Sequence, residues 1–199
     1  MMIFERNEDW RSYVKYYKVT SLLLAANIIM YILVIVNGGT DDLETMLRFG
    51  AMLKVDLFVN ETWRMFASMF LHANFEHLLF NMFTLFVFAP PLERVMGHLP
   101  YAVLYIASGF VGNVVSNWGT EWGTLSVGAS GAIYGLFGAY LFVGLFYKQA
   151  MDFATRKTLG VILVIGILQT FLIDNINQYA HFGGLAAGFV LFWLLRRIR

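Results

Sequence analysis

Six long stretches of this chain carry no Asp, Glu, Lys or Arg, with one acidic exception, and this constrains the fold more than any other feature. A helix that crosses a bilayer needs about 20 predominantly apolar residues. The stretches run from about Val19 to Asn37, Phe66 to Pro90, Leu99 to Asn117, Gly128 to Tyr147, Thr158 to Ile173 and Gln178 to Leu195. Burial in a soluble core is not the alternative, because the chain is 59% hydrophobic and only 14% charged over 199 residues, with a mean hydropathy of +0.64. The expected fold class is therefore all-α: a polytopic membrane protein, residues 1–199 forming one domain of six transmembrane helices behind a short cytoplasmic tail of about residues 1–18. Met1 to Trp10 has mixed charge and lacks the apolar core and small-residue cleavage site of a signal peptide, so the first span is expected to stay in the mature protein.

The exception is Glu76, beside His77 in the second stretch. A charge at a span's centre costs about 2.5–3.5 kcal/mol on insertion scales, which places Glu76 near an interface and the start of the second helix close to it. Pro90-Pro91 is expected to end that helix. Six spans leave both termini on one side, and the basic residues are lopsided. Arg6, Arg11, Lys15, Lys18, Arg94, Lys148, Arg156, Lys157, Arg196, Arg197 and Arg199 fall on the side of the termini, against Arg48, Lys54 and Arg64 on the other. Positive charge stays inside, so cytoplasmic termini are expected. The second, fourth and sixth helices then run from outside to inside. The connection from Gly38 to Arg64 interleaves apolar and charged residues and reads as short amphipathic pieces along the outer interface. Trp63, Trp118 and Trp122 suit the outer aromatic belt, and Trp10 and Trp193 the inner one.

In hydrocarbon the informative residues are the polar ones, and they gather at the beginnings of these three helices. His77 and Asn81 are four apart on the second and share a face; Ser130 and Tyr134 are four apart on the fourth; His181 opens the sixth. Taken singly each has a bland reading: Ser130 as a small residue at a helix contact, His77 and Asn81 as interhelical glue, and a lone His as a relay or metal ligand as readily as a base. Together they make a nucleophile, a base and side-chain donors at one depth. A serine hydroxyl needs a base to take its proton, which neutral His181 can do. Attack on a carbonyl makes an oxyanion, for which His77, Asn81 and the Ser130 N–H are available donors. No Asp or Glu lies in the sixth helix to orient His181, which favours a dyad over a triad, and Tyr134 could hold the ring by packing on it. Gly131, Gly135 and Gly138 on the fourth helix, with Gly184 and Gly188 on the sixth, would let those helices touch.

These residues resemble the rhomboid family of intramembrane serine proteases. Trp63-Arg64 is similar to its first-loop motif, His77-Leu-Leu-Phe-Asn81 to its HxxxN, Gly128-Ala-Ser130-Gly131 to its GxSG, Ala180-His181-Phe-Gly-Gly184 with Gly188 to its AHxxGxxxG, and Glu93 with Gly97 to its ExxxG. Ala89 stands where many members have glycine, and Phe192 where some continue the sixth-helix repeat. The resemblance implies Ser130 as nucleophile, His181 as base, His77, Asn81 and the Ser130 N–H at the oxyanion, and Tyr134 stacked on His181. It implies transmembrane protein substrates cut near their outer ends, entering beside the second and fifth helices. It also implies a prokaryotic inner (plasma) membrane location, and no cofactor or metal.

The rival readings are an inactive rhomboid-like protein that binds membrane clients, which would typically lack Ser130 or His181, and a transporter or channel, which would carry midplane charges or broken helices. The absence of cysteine and of an HExxH pattern speaks against a metal enzyme. A net charge of +1 without a recognition motif speaks against nucleic acid, leaving lipid and membrane-embedded chains as partners. His72 and His98 read as interfacial, and Asn27, Asn113, Ser116 and Asn117 as helix glue or loop residues.

Overall fold

The structure, a computed structural model, describes residues 8–58, 60–147, 149, 151–172 and 176–196. Arg6, Lys148, Arg197, Arg199 and the expected fifth-span end at Ile173 lie outside them. The architecture is that of an all-α polytopic membrane protein. A short α1 (Trp10–Tyr16) leads into α2 (Lys18–Val36), followed by α3 (Leu43–Arg48) and α4 (Arg64–Ala67), and then α5 (Phe75–Met96), α6 (His98–Gly119), α7 (Ser130–Phe146), α8 (Phe153–Leu172) and α9 (Gln178–Leu195). Five of these, α2, α5, α6, α8 and α9, are long and apolar enough to span a membrane by themselves. At 17 residues α7 is about 25 Å long. It can be short because it is the axis of the bundle: nearly every residue from Gly131 to Tyr140 is buried by other helices.

Three features differ from the sequence-based expectation. The tail before Lys18 contains a helix, capped by Asp9 Oδ1 accepting from Ser12 N at 2.8 Å and held by Tyr13 stacked on Phe86 with ring centroids 4.8 Å apart. The second span starts at Phe75, beside Glu76 as the cost of its charge requires, and not near Phe66 where the apolar stretch begins. Residues 64–70 form α4 and a 3-10 turn, the chain is extended at Leu71 and Asn74, and Asn74 Oδ1 accepts from His77 N at 2.8 Å as the N-cap of α5. Finally, Pro90-Pro91 does not stop the helix, which continues to Met96 and ends at Gly97 with φ +82°. Pro90 deprives the Phe86 carbonyl of its usual helical donor, and the Tyr13 hydroxyl donates to that oxygen at 3.3 Å. The Tyr140 hydroxyl donates to the Phe88 carbonyl at 2.7 Å. The first of these bonds, from a neighbouring helix, replaces one lost to proline inside a membrane helix.

The end of α5 in turn organises the start of α2. Glu93 is buried, and its carboxylate accepts from Val19 N and Thr20 N at 2.9 Å each and from Thr20 Oγ1 at 2.6 Å, with His98 Nδ1 also 2.6 Å away. It caps α2 from another helix, where the partial positive charge of a helix N-terminus favours an anion. On the opposite face, Arg64 is buried and ties the long connection together. Its Nε pairs with Glu61 at 2.7 Å, and Nη1 donates to the Leu47 and Ala51 carbonyls at 2.6 and 3.1 Å. A two-residue antiparallel ladder, β1 (Met52–Leu53) with β2 (Leu125–Ser126), joins this connection to the segment before α7 and pairs Met52 with Ser126. Asn113 Nδ2 donates to the Met65 carbonyl at 2.7 Å, fixing α4 on α6, and all five tryptophans are exposed.

The α7–α9 contact brings the beginnings of those two helices together. A Cβ on Gly184 would strike the Gly131 carbonyl, one on Gly188 the Gly135 carbonyl, and one on Gly138 the Leu185 carbonyl. The two backbones touch through paired glycines. Gly188→Ala should therefore separate the helices, at a cost of about 1–3 kcal/mol as for other overpacked sites. A lower thermal unfolding midpoint in detergent is expected, whereas Gly144→Ala, where nothing lies within 4 Å, should cause no loss.

Candidate active site

Ser130 is the first residue of α7, and its backbone N–H is one of the donors that a helix leaves unpaired at its N-terminus. His181 lies in the first turn of α9, whose N-cap Asn177 accepts from Ala180 N at 3.0 Å through Oδ1. The Asn177 amide donates to Ser116 Oγ at 2.5 Å and Ser126 Oγ at 2.8 Å, so one side chain pins the start of α9 to α6 and to β2. Behind it the glycine contact sets the spacing of α7 and α9. The result is that His181 Nε2 and Ser130 Oγ stand 2.9 Å apart. His181 is buried and its ring stacks on Tyr134, centroids 4.0 Å apart and planes inclined by 14°.

The N-terminus of α5 arrives at the same end of the bundle. A Cβ on Gly128 would lie 2.7 Å from His77 Cε1, 2.8 Å from His77 Nε2 and 3.7 Å from Ser130 Oγ, so the His77 ring lies over the backbone just ahead of the serine. Gly128 has φ +129° and needs its missing side chain twice, for that conformation and for the imidazole. Asn81 is one turn further along α5. Its Nδ2 is buried and has no hydrogen-bond partner among the described residues, a donor held away from water. Ser130, His181, His77, Asn81 and Tyr134 are thus all brought to the end of the bundle where α5, α7 and α9 begin.

One histidine differs from its sequence reading as interfacial. His72 is 1% exposed and packs edge-on against His77 at 5.1 Å. Burial, with a lesser push from His77, drives its pKa from 6.5 down to about 3, so it backs the site as a neutral ring. His98 is tied to the buried Glu93 as well as exposed. Ser116 is buried and accepts from the Asn177 amide of the α9 cap, as glue, whereas the buried Asn27 amide donates to the Leu23 carbonyl of its own helix.

Sequence reasoning missed two residues. Asn177 has the Asn-before-helix signal of an N-cap, which was legible. Thr170, on α8, was not. Its Oγ1 is 2.9 Å from His181 Nδ1, 2.9 Å from the Tyr134 hydroxyl and 2.9 Å from the Gly166 carbonyl. A threonine in an apolar helix carries no periodic or motif signal, and only the packing of α8 against α7 and α9 reveals it.

The arrangement can activate a hydroxyl. A neutral imidazole within hydrogen-bond reach can take the serine proton, and N–H groups nearby can stabilise an oxyanion. No group of three or more His, Cys, Asp or Glu residues suited to a metal ion occurs among the described residues.

A family model described as Rhomboid domain matches residues 59–198. YdcA of Bacillus subtilis (strain 168), whose name places it among rhomboid proteases, is 35% identical over 192 residues, 96% of each chain. The rhomboid protease GluP of the same organism is 34% identical over 170 residues, 85% of this chain but only 33% of GluP. Rhomboid-like protease 1 of Toxoplasma gondii is 30% identical over 185 residues, 87% of this chain and 63% of that protein. This chain therefore spans nearly all of YdcA and about a third of GluP.

Two outcomes follow from the geometry. Gly128→Ala should displace His77 and slow phosphonylation of Ser130 by a fluorophosphonate by about ten-fold or more, as expected when a reacting group is misplaced by an ångström. For His72, the unfolded chain takes up a proton near pH 6.5 and the folded chain only near pH 3, so its contribution to stability is present above 6.5 and lost as pH falls towards 3. Thermal midpoints measured across that window should fall less steeply in His72→Gln.

Proposed function

As the chain belongs to the rhomboid family, we propose that it is an intramembrane serine endopeptidase that hydrolyses peptide bonds in or near transmembrane segments of other proteins by a Ser130–His181 dyad. One observation carries the reading: the 2.9 Å approach of Ser130 Oγ to His181 Nε2 at the end of a membrane bundle. His181 Nε2 takes the Ser130 proton as Oγ attacks the scissile carbonyl carbon. The oxygen of the tetrahedral intermediate becomes negative and is met by the Ser130 N–H and by side-chain donors from His77 and Asn81. Collapse breaks the C–N bond while the imidazolium returns the proton to the leaving amine, which leaves an acyl ester on Ser130. Water then attacks the ester, His181 takes its proton, and the acid is released as Ser130 recovers its hydrogen. No cofactor is required.

Residues 1–199 form a single domain in this proposal, set in a prokaryotic inner (plasma) membrane with both termini cytoplasmic. Support comes from the basic residues on the termini side, among them Arg94, Arg156, Lys157 and Arg196. The dyad then opens towards the outer face, where it meets the outer ends of membrane-spanning substrates.

The test uses purified protein in detergent, a fluorophosphonate probe and a transmembrane-segment substrate. Wild type should label and cleave, and Ser130→Ala and His181→Ala should do neither while unfolding at the wild-type temperature. Asn81→Ala should retain partial cleavage, since two oxyanion donors remain, with a loss of up to about a hundred- to a thousand-fold. Cleavage should rise with pH as His181 loses its proton, because only the neutral ring accepts one. Full cleavage by Ser130→Ala, or a rate flat from acid to alkaline pH, would overturn the mechanism.

A further inference from the structure

We infer that Thr170 is a positioning residue for the base: its hydroxyl oxygen accepts the Nδ1 proton of His181 and so holds the imidazole in the one tautomer that leaves Nε2 free for Ser130. The inference rests on the dyad proposed above and adds to it a group from a different helix, α8.

The argument is a count of hydrogens. Thr170 Oγ1 has three neighbours at 2.9 Å: the Gly166 carbonyl, the Tyr134 hydroxyl and His181 Nδ1. A hydroxyl has one hydrogen and two lone pairs. A carbonyl only accepts, so the Thr170 hydrogen goes to Gly166, a back-bond to the preceding turn that threonine commonly makes in helices. Both lone pairs are then taken by donors. Tyr134 O–H supplies one and His181 Nδ1–H the other, so Nδ1 is protonated and the acceptor of the neutral ring is Nε2, 2.9 Å from Ser130 Oγ. The opposite tautomer would set the lone pair of Nδ1 against that of Thr170 and present Nε2–H to the serine, where it could take no proton.

Burial makes the assignment matter. Thr170 is 4% exposed and His181 7%, so water does not readily substitute for the lost acceptor. Tyr134 completes the fit by stacking on the ring and donating into the same oxygen, and Gly166 leaves room for this: a Cβ there would stand 3.0 Å from the Tyr134 hydroxyl. Thr170 also has the role that a carboxylate fills in a triad, orienting the ring, without placing a charge in the bundle. Since Thr170 sits on α8, which otherwise buries only Thr155 and Leu159 among its described residues, the orientation of the base depends on α8 being seated.

The experiment compares Thr170→Val, which keeps the shape and removes the hydroxyl, with Thr170→Ser, which keeps the hydroxyl, on purified protein with a transmembrane substrate. Thr170→Val is expected to lower kcat by about 10- to 100-fold, less than the ~10⁴ lost when a triad histidine is held in the wrong tautomer, with KM within about two-fold. Thr170→Ser should restore kcat to within about three-fold of wild type. Independently of how either variant folds, wild-type protein labelled with ¹⁵N-histidine should show the His181 signal, identified by its loss in His181→Gln, as the Nδ1–H tautomer. A Thr170→Val enzyme with wild-type kcat, or an Nε2–H signature, would overturn the inference while Ser130→Ala remains dead and the dyad stands. A wild type that neither labels nor cleaves would overturn the dyad and this inference with it.

Discussion

The backbone contact between α7 and α9 is the constraint on which the rest of the structure depends. Lipid tails are as apolar as leucine side chains, so helices in a bilayer gain little from burying apolar surface against one another. They associate through close packing and polar contacts. Gly131 and Gly135 facing Gly184 and Gly188 bring the two backbones within reach of each other, and this closeness places the first turn of one helix beside the first turn of the other. Ser130 and His181 are one residue before Gly131 and three before Gly184, so the hydrogen bond between them follows from the glycine register. A methyl group on the stripe would act on the site as well as on stability.

Around that axis, polar groups are satisfied across helices. Glu93 on α5 caps α2, the Tyr13 hydroxyl donates to the carbonyl that Pro90 cannot serve, and the Asn177 side chain joins α9 to α6 and β2. In water each of these groups would find a solvent partner. In the bundle an unmet donor or acceptor costs several kcal/mol, so every departure from regular helix must be matched by a group on a neighbour. The Asn81 amide nitrogen is one of several buried side-chain atoms without a hydrogen-bond partner among the described residues, others being on Tyr101, Tyr105 and Ser108, and it lies in the neighbourhood where an oxyanion would form. A donor left unmet at that place is what a site complementary to a transition state, and not to the resting protein, would carry.

The sequence carried more of the site than of the helix ends. Ser130, His181, His77 and Asn81 were legible because polar residues in charge-free spans are few, and because a spacing of four places His77 with Asn81 and Ser130 with Tyr134 on shared faces. The apolar stretch of the second span began too early because residues 66–70 are as apolar as a span, and only the Asn74 cap divides them from it. The continuation past Pro90-Pro91 was invisible for a different reason: it draws on Tyr13, which belongs to another helix. His72 looked interfacial because it lies outside the span, but it is buried with its ring edge-on to His77. Thr170 is the extreme case, a hydroxyl in an apolar run whose meaning comes wholly from three atoms on two turns of α7 and α9 and its own preceding turn.

The choice of a hydroxyl at that point has a physical reason. A carboxylate against Nδ1 would stabilise the imidazolium strongly, but it would be a charge buried in a membrane bundle whenever the ring is neutral, with an effective penalty of several kcal/mol. Threonine carries no such cost. It contributes less to the imidazolium, but its proton is already committed to Gly166 and its lone pairs have a fixed direction, so orientation is kept while the charge is given up. Tyr134 adds the face of its ring to the imidazole and its hydroxyl to the same oxygen, which links stacking and hydrogen bonding in one rigid unit. The proposed dyad therefore owes its geometry to neutral groups on α7, α8 and α9 acting together, an economy suited to a solvent in which charge is the expensive component.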